Sequence, residues 1–98
     1  MKRYFVYIMA SEKYGTLYIG MTSNISNRMK AHKEHAVEGF TDKYNVTKLV
    51  YVEVCDTAMQ AIELEKKLKK WKRAWKIRII EAMNPDWEDL SEKDGYII

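Results

Sequence analysis

From Ala58 to Met83 the chain runs without a glycine or a proline, and the first interruption it meets is Asn84-Pro85. A stretch with no internal punctuation reads as helix, and Thr57 followed three residues later by Gln60 supplies the capping box that starts it. Taken as one element it exceeds the usual length of a globular helix, which favours two helices without locating the break between them. Leu64, Leu68, Trp71 and Trp75 recur at spacings of four, three and four, the buried stripe of an amphipathic helix, so both tryptophans are expected in the core. A chain of 98 residues that commits so much of itself to helix has room for one small sheet and one core, and a single domain over residues 1–98 is expected.

The remaining elements follow from composition and turn chemistry. Arg3 to Met9 and Leu17 to Met21 are rich in β-branched and aromatic residues, and the Ser11 to Thr16 segment between them contains Gly15, which reads as a hairpin. Asn24 is placed to cap a helix running to about His35, with Ile25, Met29 and His32 or Ala36 on one side, and Gly39 ends or follows it. Leu49 to Val54 alternates as a third strand. The order is ββαβαα.

Composition excludes several classes. With 47% hydrophobic and 32% charged residues the chain has apolar material for a core and is far from a disordered tail, a collagen or a coiled coil. Cys55 stands alone and has no partner for an intrachain disulfide, which suits a reducing cytoplasm. The apolar run Tyr4 to Ala10 soon meets Glu12 and Lys13, too early for a signal peptide, and no stretch reaches the roughly 20 apolar residues of a membrane span. A soluble cytoplasmic protein with no membrane partner is expected.

Net charge is only +3, yet the charges are segregated. Lys66 to Arg78 holds eight basic residues and no acid, whereas Glu81 to Asp94 holds six acids and the single base Lys93. A basic helix suits a phosphate backbone, because each neutralised phosphate releases counterions. Lys69, Lys70, Lys72 and Arg73 are the candidate nucleic-acid contacts.

Chemistry-bearing residues cluster in the same frame. Tyr7 lies on the first strand and Tyr18 opens Tyr18-Ile19-Gly20 on the second; Arg28 and His32, four apart, share a face of the next helix. Glu65 is a helical carboxylate followed by bases. His32 and His35 lie three apart but lack further ligands, which argues against zinc. Gly20 is expected to permit close backbone approach at the strand end.

In these features the chain resembles the GIY-YIG nuclease superfamily, particularly its small standalone bacterial members. The first triad appears as Phe5-Val6-Tyr7, departing from Gly and Ile at its first two positions, and the second is intact as Tyr18-Ile19-Gly20. The helical Arg28 and the helical Glu65 follow in the family's order, and the likeness spans about Arg3 to Asn84. Met21 follows Gly20 where many relatives carry a base. The resemblance implies an α/β (α+β) fold, a small three-stranded antiparallel sheet flanked by helices. It also implies a divalent-metal-dependent endonuclease that hydrolyses phosphodiester bonds, in DNA more than RNA, as in repair or processing.

In family terms Glu65 holds one Mg²⁺ or Mn²⁺ ion, Arg28 binds the phosphate, Tyr7 helps deprotonate the attacking water, and Tyr18 orients water or phosphate. His32 is a second base or a phosphate contact. Asn84 has two readings, a helix cap ahead of Pro85 and the late asparagine that the family often places near the metal. Residues 1–80 would form the nuclease core and 81–98 a short acidic extension, with no room for a separate DNA-binding domain. Specificity would then come from shape, a protein partner or self-association. The competing readings are a nucleic-acid-binding module of the same fold that cleaves weakly or not at all, and a protein-interaction module.

Overall fold

The computed structural model describes residues 2–34 and 44–93. Its elements are β1 (Tyr4–Ala10), β2 (Leu17–Thr22), α1 (Ile25–Lys33), β3 (Lys48–Cys55), α2 (Ala58–Lys70) and α3 (Arg73–Met83), followed by a single 3₁₀ turn at Leu90–Glu92. The three strands form one antiparallel sheet in the order β2-β1-β3, so the ββαβαα order and the α+β class hold. His35, Ala36 and Gly39, named above at the end of the first helix, lie outside the described residues. Among the described residues no helix is long and apolar enough to cross a membrane.

β1 is central and covered on both sides, which is why Val6 to Ala10 is continuously buried. Its alternation sorts two cores. Val6, Ile8 and Ala10 pack with Ile19, Val50, Ala61, Leu68 and Ile80 on the α2–α3 side; Tyr7 and Met9 pack with Ile25, Met29, Leu49 and Val52 on the α1 side. The β1–β3 register shifts between Ile8 and Met9, whose partners are Tyr51 and Leu49, leaving Val50 as an extra residue. This bulge turns two consecutive residues, Val50 and Tyr51, toward the same core.

Both capped helices start as their sequences dictate. Asn24 Oδ1 accepts the Asn27 N–H at 3.1 Å, and Thr57 Oγ1 accepts the Gln60 N–H at 3.1 Å. The capping box is displaced by one residue, since Gln60 Oε1 reaches the N–H of Asp56 at 3.1 Å instead of that of Thr57. The unpunctuated stretch is two helices, parted at Trp71 and Lys72, whose ψ values of 147° and 151° are extended. The Trp71–Trp75 stripe is thereby broken. Trp71 packs partly against the core, but Trp75 is 54% exposed, which overturns the expectation that both tryptophans are core.

Long-range contacts hold α3 in its new direction. The Arg73 guanidinium donates to the carbonyls of Tyr14 and Gly15 in the hairpin loop, each at 2.6 Å, and Glu81 Oε2 accepts from Tyr14 Oη and Trp87 Nε1, each at 2.9 Å. The chain then passes around the edge of β3. Trp87 is fully buried in the α2–α3 core and Leu90 is buried in the α1 core, on the opposite side of the sheet. On the way, Asn84 Nδ2 donates to the Val50 carbonyl at 3.2 Å and Asp89 Oδ1 accepts the Leu49 N–H at 3.2 Å, so the tail satisfies the backbone that the bulge and the sheet edge leave open. Packing is continuous across residue 80, with Ile80 and Trp87 in the same core.

Removing these tail contacts should unfold the sheet edge. Trp87→Ala should lose about 3–5 kcal/mol, as large buried side chains do. Asn84→Ala should lose about 1–3 kcal/mol through its unpaired backbone partners. Urea denaturation of both variants, followed by circular dichroism, measures this.

Candidate functional site

Tyr7 sits in the middle of β1 with its ring on the α1 side of the sheet, directly opposite Gly20 of β2. A Cβ at Gly20 would lie 2.5 Å from Tyr7 Oη, 2.7 Å from Tyr7 Cζ and 3.1 Å from Tyr18 Cε1. The glycine is therefore a steric slot for the phenol, which is more specific than the close backbone approach expected there. Tyr18, two residues earlier on the same strand, points to the same face, its ring centroid 6.4 Å from that of Tyr7.

α1 completes the cluster from above. Ile25, Met29 and His32 form its buried side, at spacings of four and three. The His32 ring stands edge-on to both tyrosines, at 5.8 Å from Tyr7 and 5.6 Å from Tyr18, and His32 Nε2 lies 3.2 Å from Tyr7 Oη. Arg28, one turn earlier on α1 and half-buried, brings its positive charge to bear on the Tyr7 phenol. Glu65 approaches from α2, and its negative charge acts on the Tyr7 phenol. Its carboxylate is 20% exposed and pairs with Lys69 Nζ at 3.6 Å. Beside it, Leu17, Tyr18, Ile19, Lys69 and Lys76 line an open groove of about 260 Å³.

The electrostatics of the cluster are set by burial. Burial holds the Tyr7 hydroxyl well above the usual phenol range; Tyr18 and Glu65 push the same way, and Arg28 opposes them. Burial also pushes His32 down to about 4, with the Arg28 charge adding to the effect, so the imidazole is neutral at pH 7. His32 Nδ1 is buried without a hydrogen-bond partner. The site thus holds a neutral phenol bonded to a neutral imidazole, with one guanidinium beside them.

Other expected site residues are placed elsewhere. Asn84 is 4% exposed and is the C-cap residue of α3 through its backbone N–H, and its amide bonds Val50 O, Glu88 O and the Glu88 N–H, which commits the side chain to the tail. Arg73 is exposed and holds the hairpin carbonyls, a structural use of a residue expected on nucleic acid. Lys70 and Lys72 are exposed at the α2–α3 junction, whereas Lys69 lines the groove beside Tyr18. Sequence reasoning passed over Lys76, which lines that groove with Lys69; its signal was a place in the basic run, shared with seven other residues.

Among the described residues no cluster of three acidic, histidine or cysteine side chains is present that would enclose a metal ion. A single accessible carboxylate fits a hard ion that keeps most of its own waters, as Mg²⁺ and Mn²⁺ do, and does not fit a zinc site. Glu65 is the residue that would hold such an ion.

A β-hairpin, a helix carrying arginine, a third strand and a helix carrying glutamate make up a small α+β domain with its polar cluster at the β1–β2 pair. Residues 3–78 match the GIY-YIG catalytic domain, and the chain belongs to that family. A UPF0213 protein of Syntrophus aciditrophicus is 34% identical over 88 residues, covering 88% of this chain and 98% of its own. A UPF0213 protein of Staphylococcus saprophyticus is 30% identical, over 82% of this chain and 96% of its own. The solution NMR structure of a UPF0213 protein from Bacillus halodurans has the same fold, with a TM-score of 0.57 at 22% identity over 94% of this chain and 97% of that one.

Two measurements bear on the cluster. Gly20→Ala should displace the Tyr7 phenol and lower stability by about 1–3 kcal/mol, more than Gly→Ala at an open strand position, as read by urea denaturation. His32 titrates near 6.5 in the unfolded chain and near 4 in the folded one, so the unfolded state binds the extra proton between these values. The stability this group contributes is present above about pH 6.5 and is lost as pH falls toward 4, by up to about 3 kcal/mol. Between pH 7 and pH 4.5 the parent should lose more stability than His32→Leu.

Proposed function

We propose that this chain is an endonuclease hydrolysing phosphodiester bonds in nucleic acid, DNA before RNA, with one divalent ion held at Glu65. The observation that carries the reading is the bond between the Tyr7 hydroxyl and the neutral His32 imidazole, with the Arg28 charge acting on both. A bound Mg²⁺ or Mn²⁺ would supply positive charge to the phosphoryl and leaving oxygens.

The residues divide the remaining work. Arg28 forks onto the scissile phosphate and stabilises the charge that grows on its oxygens in the transition state. Tyr7 is held neutral by burial, so it acts as a relay: its oxygen takes a proton from the attacking water while its own proton passes to His32 Nε2. An imidazole held near 4 is a weak acceptor, but one of its depressing causes is Arg28, whose charge the substrate phosphate neutralises. Substrate binding thereby raises the basicity of His32 when a base is needed. Tyr18, half-buried at the mouth of the groove, orients the water or the phosphate beside Tyr7.

The test is cleavage of single-stranded, duplex and branched DNA and of RNA by metal-stripped protein to which Mg²⁺ or Mn²⁺ is restored. Tyr7→Phe should slow cleavage by about 10²-fold or more, and Arg28→Ala by a similar factor. Glu65→Gln should abolish the response to added metal. No cleavage of any substrate above the Glu65→Gln level would leave the fold with a binding function only.

A further inference from the structure

The expectation that failed, a buried Trp75, points to a site outside the catalytic cluster. Lys70, Trp71, Lys72 and Trp75 line an open groove of about 330 Å³ at the junction of α2 and α3. The two indoles meet edge-to-face, 5.8 Å apart at 61°, too close and too tilted for a third ring to enter between them, but Trp75 leaves more than half its surface in water. Cations frame the pair: Lys67 Nζ lies 5.4 Å from the Trp71 ring and the Arg78 guanidinium 5.8 Å from the Trp75 ring. α3 opens at this point with no side-chain cap and no acid in its first turn, which leaves its N-terminal N–H groups to an anion.

We infer that the α2–α3 junction is a base-stacking subsite, in which an unpaired nucleobase lies on Trp75 against the edge of Trp71 while Lys70, Lys72 and the start of α3 take the flanking phosphates. The charge of the groove commits the occupant to a polyanion, and the exposed indole adds what only a polyanion with aromatic bases can use. Lys69 and Lys76 line the groove at Tyr18, so the basic run continues from the catalytic cluster to this subsite. The inference rests on the nucleic-acid reading above and adds that the bound strand has a base out of its pair at the junction.

The experiment reads binding without cleavage. In a Glu65→Gln background with metal chelated, affinity for a labelled single-stranded DNA, a fully paired duplex and heparin is measured by anisotropy across a salt series, with tryptophan emission followed in parallel. Trp75→Ala alters an exposed side chain and should weaken single-stranded binding by about tenfold without changing its salt slope, while leaving heparin binding as it was. Trp75→Phe should restore most of the loss. Lys72→Ala should instead lower the salt slope by about one. The subsite is overturned if Trp75→Ala binds single strands as the parent does, if it loses heparin to the same degree, or if sedimentation shows that it turns a dimer into a monomer. Because no arm depends on hydrolysis, failure of the nuclease reading leaves these outcomes interpretable.

Discussion

The packing of one phenol against one glycine organises the site. Tyr7 occupies a central strand buried on both faces, where a hydroxyl must find a partner or forfeit about 1–3 kcal/mol. The hole left by Gly20 gives the ring its place, and His32 gives the hydroxyl its partner. That bond fixes how α1 is rotated about its axis, since His32 must face inward in line with Ile25 and Met29. Once this is set, Arg28, one turn earlier on the helix, brings its charge to bear on the same phenol. A single steric fit thus couples β1, β2 and α1, and places a cation beside a neutral acid–base pair.

A small domain must then hold that sheet still. β3 would be an exposed edge, and its bulge leaves backbone groups unpaired at Leu49 and Val50. The tail answers both needs by crossing the edge: Trp87 fills one core, Leu90 the other, and Asn84 and Asp89 bond the open backbone between them. The Glu81 carboxylate, accepting from Tyr14 and Trp87, ties the hairpin loop, α3 and the tail together. Asp89 is held below the usual carboxylate range against the opposing pull of burial, because Lys33, Ser91 and the Leu49 N–H all stabilise its charge.

How far these features were legible depended on the range over which each is decided. The hairpin, both N-caps and the third strand were readable because they follow from residues a few positions apart. The candidate site residues could be named because their order along the chain resembles a known family, and the ββαβαα frame places Tyr7, Tyr18 and His32 in contact with Arg28 on the same helix as His32. The break at Trp71 and Lys72 was not readable: no glycine or proline marks it, and the 3.6-residue period runs straight through. What turns the chain there is distant, Arg73 on the carbonyls of Tyr14 and Gly15 and Glu81 on Tyr14 and Trp87. The same holds for the tail, whose acidic composition masked a buried tryptophan and a buried leucine.

Charge segregation along the sequence survives folding for a structural reason. Three of the five acids that follow Met83 are taken up locally, Asp89 and Glu92 by Lys33 and Glu88 by Lys93. Glu81 is occupied by two neutral donors on the hairpin and the tail. Among the described residues, Glu65 is the one acid ion-paired to the basic run, through Lys69. The lysines from Lys66 to Lys76 therefore keep their field, which the net charge of +3 conceals. Under the proposed function, a surface of one sign next to the partly exposed Glu65 carboxylate would attract a polyanion and the cation that accompanies it, and within about 10 Å at ordinary salt that field reaches the Tyr18 groove as well as the tryptophan pair. Among the described residues the tail is held on the β3 edge through Asn84, Asp89 and Leu90, which keeps Asp89 engaged with Lys33 and not with the basic run.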